Sequence, residues 1–185
     1  MVTNVSFEIM VNRQTLSLFK TNKGNNLSDL SDQSPVLIVF LRHFGCVFCK
    51  ESMYDISRKR GKLYAEGIKV VLVHMSDYTT AEGYFKKFDL TDIEHISDPD
   101  CKCYSSFGLL KGSFSQLFGL KTWIRGFEIA TTKQMLPDNK RIGDGLQMPG
   151  IFLVRNGNVV ESFIHHSVAD KPDYQTFINV CHLTD

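Results

Sequence analysis

The chain predicts an α/β fold: a central mixed β-sheet flanked by helices. Two observations lead there. Val36 to Leu41 and Ile68 to Met75 are near-continuous apolar runs, the pattern of strands buried on both faces, and a helical pattern joins them. Strand, helix and strand in succession form a βαβ unit, whose crossover is right-handed. Later in the chain, Asn156-Gly157 separates two further apolar runs and marks a two-residue hairpin turn.

The elements follow in order. Residues 5–20 alternate loosely through Gln14-Thr15-Leu16-Ser17-Leu18 and read as one or two short edge strands. Asn26 to Leu30 reads as one short helical turn, and Pro35 introduces the first buried strand. Residues 47–66 form a helix with Met53, Ile56, Leu63 and Tyr64 near one face and Lys50, Arg58, Lys59, Arg60 and Lys62 on the other. Gly67 stops it. The strand Ile68 to Met75 is followed by a helix over Thr80 to Phe88 and a third strand over Ile93 to Ser97, and Cys101 to Leu109 is helical. Residues 111–145 are broken by glycines, yet carry Phe114, Leu117, Phe118, Trp123, Ile124 and Phe127 as material to bury, so they predict a packed excursion with a short helix. The strand Gly150 to Arg155, the Asn156-Gly157 turn, the returning strand Asn158 to His165 and a helix over Lys171 to Leu183 complete the chain.

A length of 185 residues suits one domain over 1–185 with a substantial core. With 43% hydrophobic and 22% charged residues the chain is globular, and a net charge of +1 lacks the basic excess of a nucleic-acid binder. No apolar stretch approaches membrane-spanning length, and Met1 to Glu8 lacks the basic and apolar regions of a secretory signal. Five cysteines without a signal point to a reducing, cytoplasmic setting, where thiols are catalytic, metal-binding or buried.

Cys46-Val47-Phe48-Cys49 carries the chemistry. It follows a strand and opens a helix, where unpaired N–H groups and the positive end of the dipole favour a thiolate, the nucleophile of disulfide and peroxide chemistry. Arg42 and His43 are close enough in sequence for either cation to lower a thiol pKa. Cys46 lies nearer the loop and Cys49 one turn inside. The alternatives are two small buried hydrophobes, or half of a zinc site completed by Cys101 and Cys103, although a one-residue spacer is uncommon for zinc. Cys181 reads as packing. His165 and His166 would alternate faces of a strand, which argues against a metal pair. No metal or other cofactor is expected.

Several segments together resemble the peroxiredoxin-like proteins of the AhpC/TSA superfamily, and within it the selenoprotein L-related branch. They are Phe40 to Cys49, Ile96-Ser97-Asp98-Pro99, Phe107-Gly108-Leu109, Gly143 to Gly150 and Ala169 to Tyr174, and the likeness runs from about residue 14 to the C-terminus; Met148 to Gly157 resembles the segment of thioredoxin-fold proteins in which a cis proline precedes a strand and hairpin. The resemblance implies a thioredoxin-like fold of peroxiredoxin type, with a cis proline at Pro149 facing the cysteines. It lays Cys49 on the peroxide-attacking cysteine of typical peroxiredoxins, Cys46 on their threonine and Arg42 on their proline. Their peroxide-binding arginine falls near Met148. The resemblance implies a thiol–disulfide oxidoreductase or peroxiredoxin-like antioxidant enzyme cycling Cys46 and Cys49; the departures weigh against a dedicated peroxide scavenger and leave dithiol–disulfide chemistry intact, with trapping of a sulfenic acid expected on Cys49. Its substrate would be a small peroxide or a protein disulfide, and its reductant a thioredoxin-like or glutathione-like thiol. A non-catalytic redox sensor or binding module on the same fold is the alternative. In the implied fold one strand separates Cys101 and Cys103 from the active loop. At about 4.8 Å per strand their reach to Cys49 is about 10 Å, beyond disulfide range without movement, so they are structural or at most a secondary relay.

Overall fold

The structure is a computed structural model, and residues 11–137 and 143–183 are described in it. Five strands form one mixed sheet in the order β3-β2-β1-β4-β5. They are β1 (Val36–Phe40), β2 (Lys69–His74), β3 (Glu94–Ser97), β4 (Gly150–Arg155) and β5 (Asn158–Ile164). β1, β2 and β3 run parallel, whereas β4 is antiparallel to β1 and to β5.

The central strand shows why its sequence is apolar throughout. Every residue of β1 is buried. Leu37 and Val39 pack on one face with Met53, Ile56 and Leu63 of α3 (Val47–Ala65) and Phe177 and Ile178 of α8 (Tyr174–Leu183). Val36, Ile38 and Phe40 pack on the other with Leu16, Leu27, Tyr104 and Phe107. Alternate side chains of a strand point to opposite faces, so a strand covered on both sides has no polar positions. Each such side chain, fully buried, contributes about 1.5–3 kcal/mol. Helix α3 is the β1–β2 crossover and α4 (Tyr78–Lys87) the β2–β3 crossover. Tyr64, expected on the apolar face of α3, is exposed.

The N-terminal reading needs correction. The expected edge strands over 5–20 are not there among the described residues: Arg13–Ser17 is helix α1, capped by the Asn12 side chain accepting from the Thr15 N–H. The alternation at Leu16 and Leu18 misleads because only Leu16 is buried, while Leu18 faces solvent. Residues 5–10, and the absence of a signal over Met1 to Glu8, lie outside the described residues. The turn expected at Asn26 extends into α2 (Leu27–Gln33), capped by Asn26.

The β4–β5 turn is as expected: Asn156 and Gly157 have φ of 51° and 77°, the left-handed pair of a type I′ turn. Strand β5 ends at Ile164, so His165 and His166 lie beyond it. No peptide bond among the described residues is cis, which corrects the expectation for Pro149. The preceding segment is held extended along residues 109–111, with the Met148 N–H donating to the Leu110 carbonyl at 3.1 Å and Gln147 bridging Lys111.

Helices α5 (Lys102–Ser106), α6 (Phe114–Phe118) and α7 (Leu120–Thr132) lie between β3 and β4. The excursion does not bury what it was expected to bury. Leu117 is buried, but Phe114, Phe118, Trp123, Ile124 and Phe127 are not. The cause is charge: α7 turns Arg125 inward onto Glu51 of α3, and Lys133 beyond its end reaches Glu51 and Asp55.

Candidate active site

Strand β1 delivers the chain to the redox loop. Beyond Phe40 the Leu41 N–H donates to the Val73 carbonyl at 2.9 Å. The buried Tyr104 hydroxyl donates to the Leu41 carbonyl and lies 3.2 Å from that of Val73, clasping the ends of β1 and β2. The loop turns through Cys46 N–H to His43 carbonyl (3.0 Å), and α3 begins with Lys50 N–H to Cys46 carbonyl (3.0 Å). Cys46 is the N-cap residue and Cys49 lies in the first turn, as the sequence implied.

Both cysteines are free thiols and nearly covered, at 7% and 4% exposure. They are not equivalent. The Cys46 thiol is pushed down to about 6, first by the hydrogen bond from Cys49. The Arg42 guanidinium and the N–H groups of Cys49 and Phe48 act in the same direction, against burial, although the sulfur closes no full capping bond. The Cys49 thiol is held well above its ordinary value, first by burial and then by the neighbouring Cys46. Its sulfur accepts the Arg42 backbone N–H at 3.2 Å. The surroundings thus pull the two sulfurs in opposite directions, Cys46 toward the thiolate and Cys49 toward the thiol.

One pocket brings Arg42, Cys46, Cys49 and Pro149 together, with about 20 Å³ open to the centre of a water-sized molecule. That is room for one or two such molecules. His43 does not line it. Its ring stands behind Arg42, with Nε2 3.2 Å from Arg42 Nη2, and so bears on the guanidinium, while its backbone N–H acts on the Cys49 sulfur.

Two groups in this pocket were not foreseen. His165, set aside with His166 as an unsuitable metal pair, lines the pocket, while His166 is exposed. The His165 ring lies against the Pro149 carbonyl, burial lowers its pKa to about 4, and its Nδ1 has no partner among the described residues. The hairpin register could have found it: Gly150 pairs with Ile164, so the next residue outward falls beside Pro149. Glu51 and Asp55, also lining the pocket, are buried on α3 and bind Arg125, Lys133 and Lys171, with the Arg125 and Lys133 contacts to Glu51 both 2.8 Å. Buried carboxylates need such partners, and removing one costs about 3–5 kcal/mol.

Cys101 and Cys103 do not join the pair. Cys101 donates its thiol to the Met75 sulfur at 3.4 Å, and Cys103 is fully buried in the core on the other face of the sheet. Among the described residues no three histidine, cysteine or acidic side chains are grouped to hold a metal, so the four-cysteine zinc alternative has no geometric support. Cys181 packs in the core beside α3. Among the described residues no helix is long and apolar enough to cross a membrane.

Strand, turn and thiolate-bearing helix, with a proline loop opposite, define a thiol redox protein of the thioredoxin fold. More narrowly, the family described as AhpC/TSA antioxidant enzyme matches residues 55–167, and the chain belongs to it as a peroxiredoxin-like oxidoreductase. The matched span begins beyond both cysteines. A prostamide/prostaglandin F synthase of Salmo salar is 29% identical over 165 residues, covering 85% of this chain and 79% of that protein. A chloroplastic thioredoxin-like protein AAED1 of Arabidopsis thaliana is 23% identical over 86% of this chain and 67% of its own length. Human peroxiredoxin-like 2C is 28% identical over 70% of this chain, which spans 59% of that protein. Among solved structures, the bacterioferritin comigratory protein of Xanthomonas campestris superposes with a TM-score of 0.62 at 14% identity, covering 94% of each chain. Peroxidoxin BcpB of Mycobacterium tuberculosis superposes with a TM-score of 0.59 at 13% identity, over 90% and 92%. At such identities the likeness establishes the fold.

Proposed function

We propose that the protein, acting as one thioredoxin-like domain over 1–185, reduces small peroxides through a Cys46–Cys49 dithiol/disulfide cycle. The observation that carries this is the split pair: a depressed Cys46 thiol at the start of α3 beside a Cys49 thiol held protonated. The Cys46 thiolate attacks one peroxide oxygen. The S–O bond forms, the O–O bond breaks, and the departing oxygen takes a proton and leaves as an alcohol or water. Cys49 then gives up its proton and attacks the Cys46 sulfenic acid; the S–S bond forms, the S–O bond breaks, and hydroxide leaves as water. A thioredoxin-like or glutathione-like thiol, in a reducing compartment such as the cytoplasm, returns the disulfide to the dithiol by two exchange steps.

Arg42 holds positive charge beside the thiolate, His43 orients Arg42, and Pro149 forms the facing wall. These roles replace the threonine and arginine that typical peroxiredoxins use. The resemblance alone would assign the attack to Cys49, whereas the charge distribution favours Cys46. A redox-sensing role is the second reading, favoured by the coverage of both sulfurs, which slows turnover with large partners.

Mass spectrometry after limiting hydrogen peroxide tests the assignment. Cys49→Ser is expected to trap a sulfenic acid on Cys46, and Cys46→Ser to trap none. A sulfenic acid on Cys49 in Cys46→Ser reverses the roles. An oxidised pair that forms readily yet shows no turnover with any thiol donor makes the protein a sensor.

A further inference from the structure

Helix α7 is built inside out. Leu120, Trp123, Ile124 and Phe127 follow i, i+3, i+4, i+7 spacing, the stripe with which a helix ordinarily meets a core. Here the stripe faces water. With Phe114 and Phe118 of α6, whose ring centroids are 5.1 Å apart, these residues are between 45% and 79% exposed. The inward side is held by Ile129, Leu117 of α6, and the ion pairs to α3.

We propose that this face is a self-association surface that docks on the same face of a second copy of the chain. Three features select that occupant. The first is area. Aromatic side chains bury about 150–250 Å² each, so six large apolar side chains exposed to this degree offer roughly 700–800 Å². That is close to the ~800 Å² per partner of a standard interface, and above the ~300–600 Å² of the largest patch on a typical monomer.

The second is charge. Lys121 pairs with Asp170, Arg125 with Glu51 and Glu128, and Lys133 with Glu51 and Asp55. The cations bordering the stripe, among the described residues, are engaged within the chain. Among the described residues the face offers no free basic rim of the kind that draws a helix to an anionic lipid surface. A net charge of +1 does not oppose pairing of copies.

The third is self-complementarity. A two-fold axis midway between Trp123 and Ile124, with the helices antiparallel, sets Leu120 of one copy opposite Phe127 of the other and Trp123 opposite Ile124. Every apolar position of the stripe then meets another, as an isologous interface requires. The interface stands or falls independently of the redox assignment, because none of its residues touches the sulfurs.

Sedimentation of the full chain across roughly 1–100 µM, with Trp123 emission recorded alongside, tests this. The wild type is expected to pass from monomer to dimer, with a blue shift of Trp123 over the same range. Ile124→Lys and, separately, Phe127→Glu are expected to remain monomeric with unchanged far-UV circular dichroism and unchanged Cys46 alkylation rate. A wild type that stays monomeric throughout overturns the proposal. So does a dimer that both variants retain, or wild-type monomer that binds phosphatidylcholine–phosphatidylserine vesicles in preference to itself.

Discussion

Two cysteine pairs of this chain stand at helix starts just past parallel strands, and they have opposite chemistry. Cys46 is the residue at the N-cap position of α3 and Cys101 that of α5; Cys49 and Cys103 follow inside. The Cys46 thiol is depressed, whereas those of Cys101 and Cys103 are both raised, first by burial and then by Asp98. The difference lies in who receives the helix N–H groups. At α5 the Asp98 carboxylate accepts from Lys102 at 2.9 Å, Cys103 at 2.7 Å and Tyr104 at 3.2 Å, and so occupies the positive end of the helix with its own charge. The first turn of α3 carries no acidic residue, and Arg42 adds a cation. A helix terminus activates a thiol only where its donors are left to the sulfur.

The largest test removes the active member from each pair. At pH 7 a thiol with a pKa near 6 is about nine-tenths ionised, against a few per cent for an ordinary one, so Cys46→Ser should slow the fastest iodoacetamide labelling about tenfold or more. Cys101→Ser should leave that rate unchanged. Next comes the cation. Lowering pH through about 6 protonates Cys46 and should extinguish its labelling. Arg42→Met raises the midpoint, so its labelling rate at pH 6 should fall about three- to tenfold, while at pH 9 the two proteins converge. A pH–rate curve unmoved by Arg42→Met would show that the guanidinium does not act on the sulfur. The smallest effect is expected at the quiet pair. Asp98→Asn keeps an acceptor for the α5 N–H groups but removes the charge, so Cys101 labelling at pH 8 should rise about two- to threefold, with Cys46 unaffected.

The features legible in the sequence were those written locally. The unbroken apolar run of β1, the start of α3 at the cysteines and the Asn156-Gly157 turn each needed only neighbouring residues. Helix α1 was misread because two leucines two apart look like a strand until Asn12 is seen to cap a turn. His165 was missed because its value comes from cross-strand register with Pro149 rather than from its own neighbourhood. The orientation of α7 was not legible for a different reason. Periodicity shows that a helix has two faces, but which one turns inward depended on Glu51 and Asp55, more than seventy residues earlier in the chain.

Phe48 sits between the two cysteines and packs with Leu117 of α6, Met148 and Val168. The residue that spaces the dithiol is thus also a wall of the excursion. Phe48 lines the pocket as well, so its contact with Leu117 ties one wall of the pocket to α6. The shape of the cavity beside the sulfurs therefore depends on a residue nearly seventy positions away in the chain, one that touches neither cysteine's chemistry.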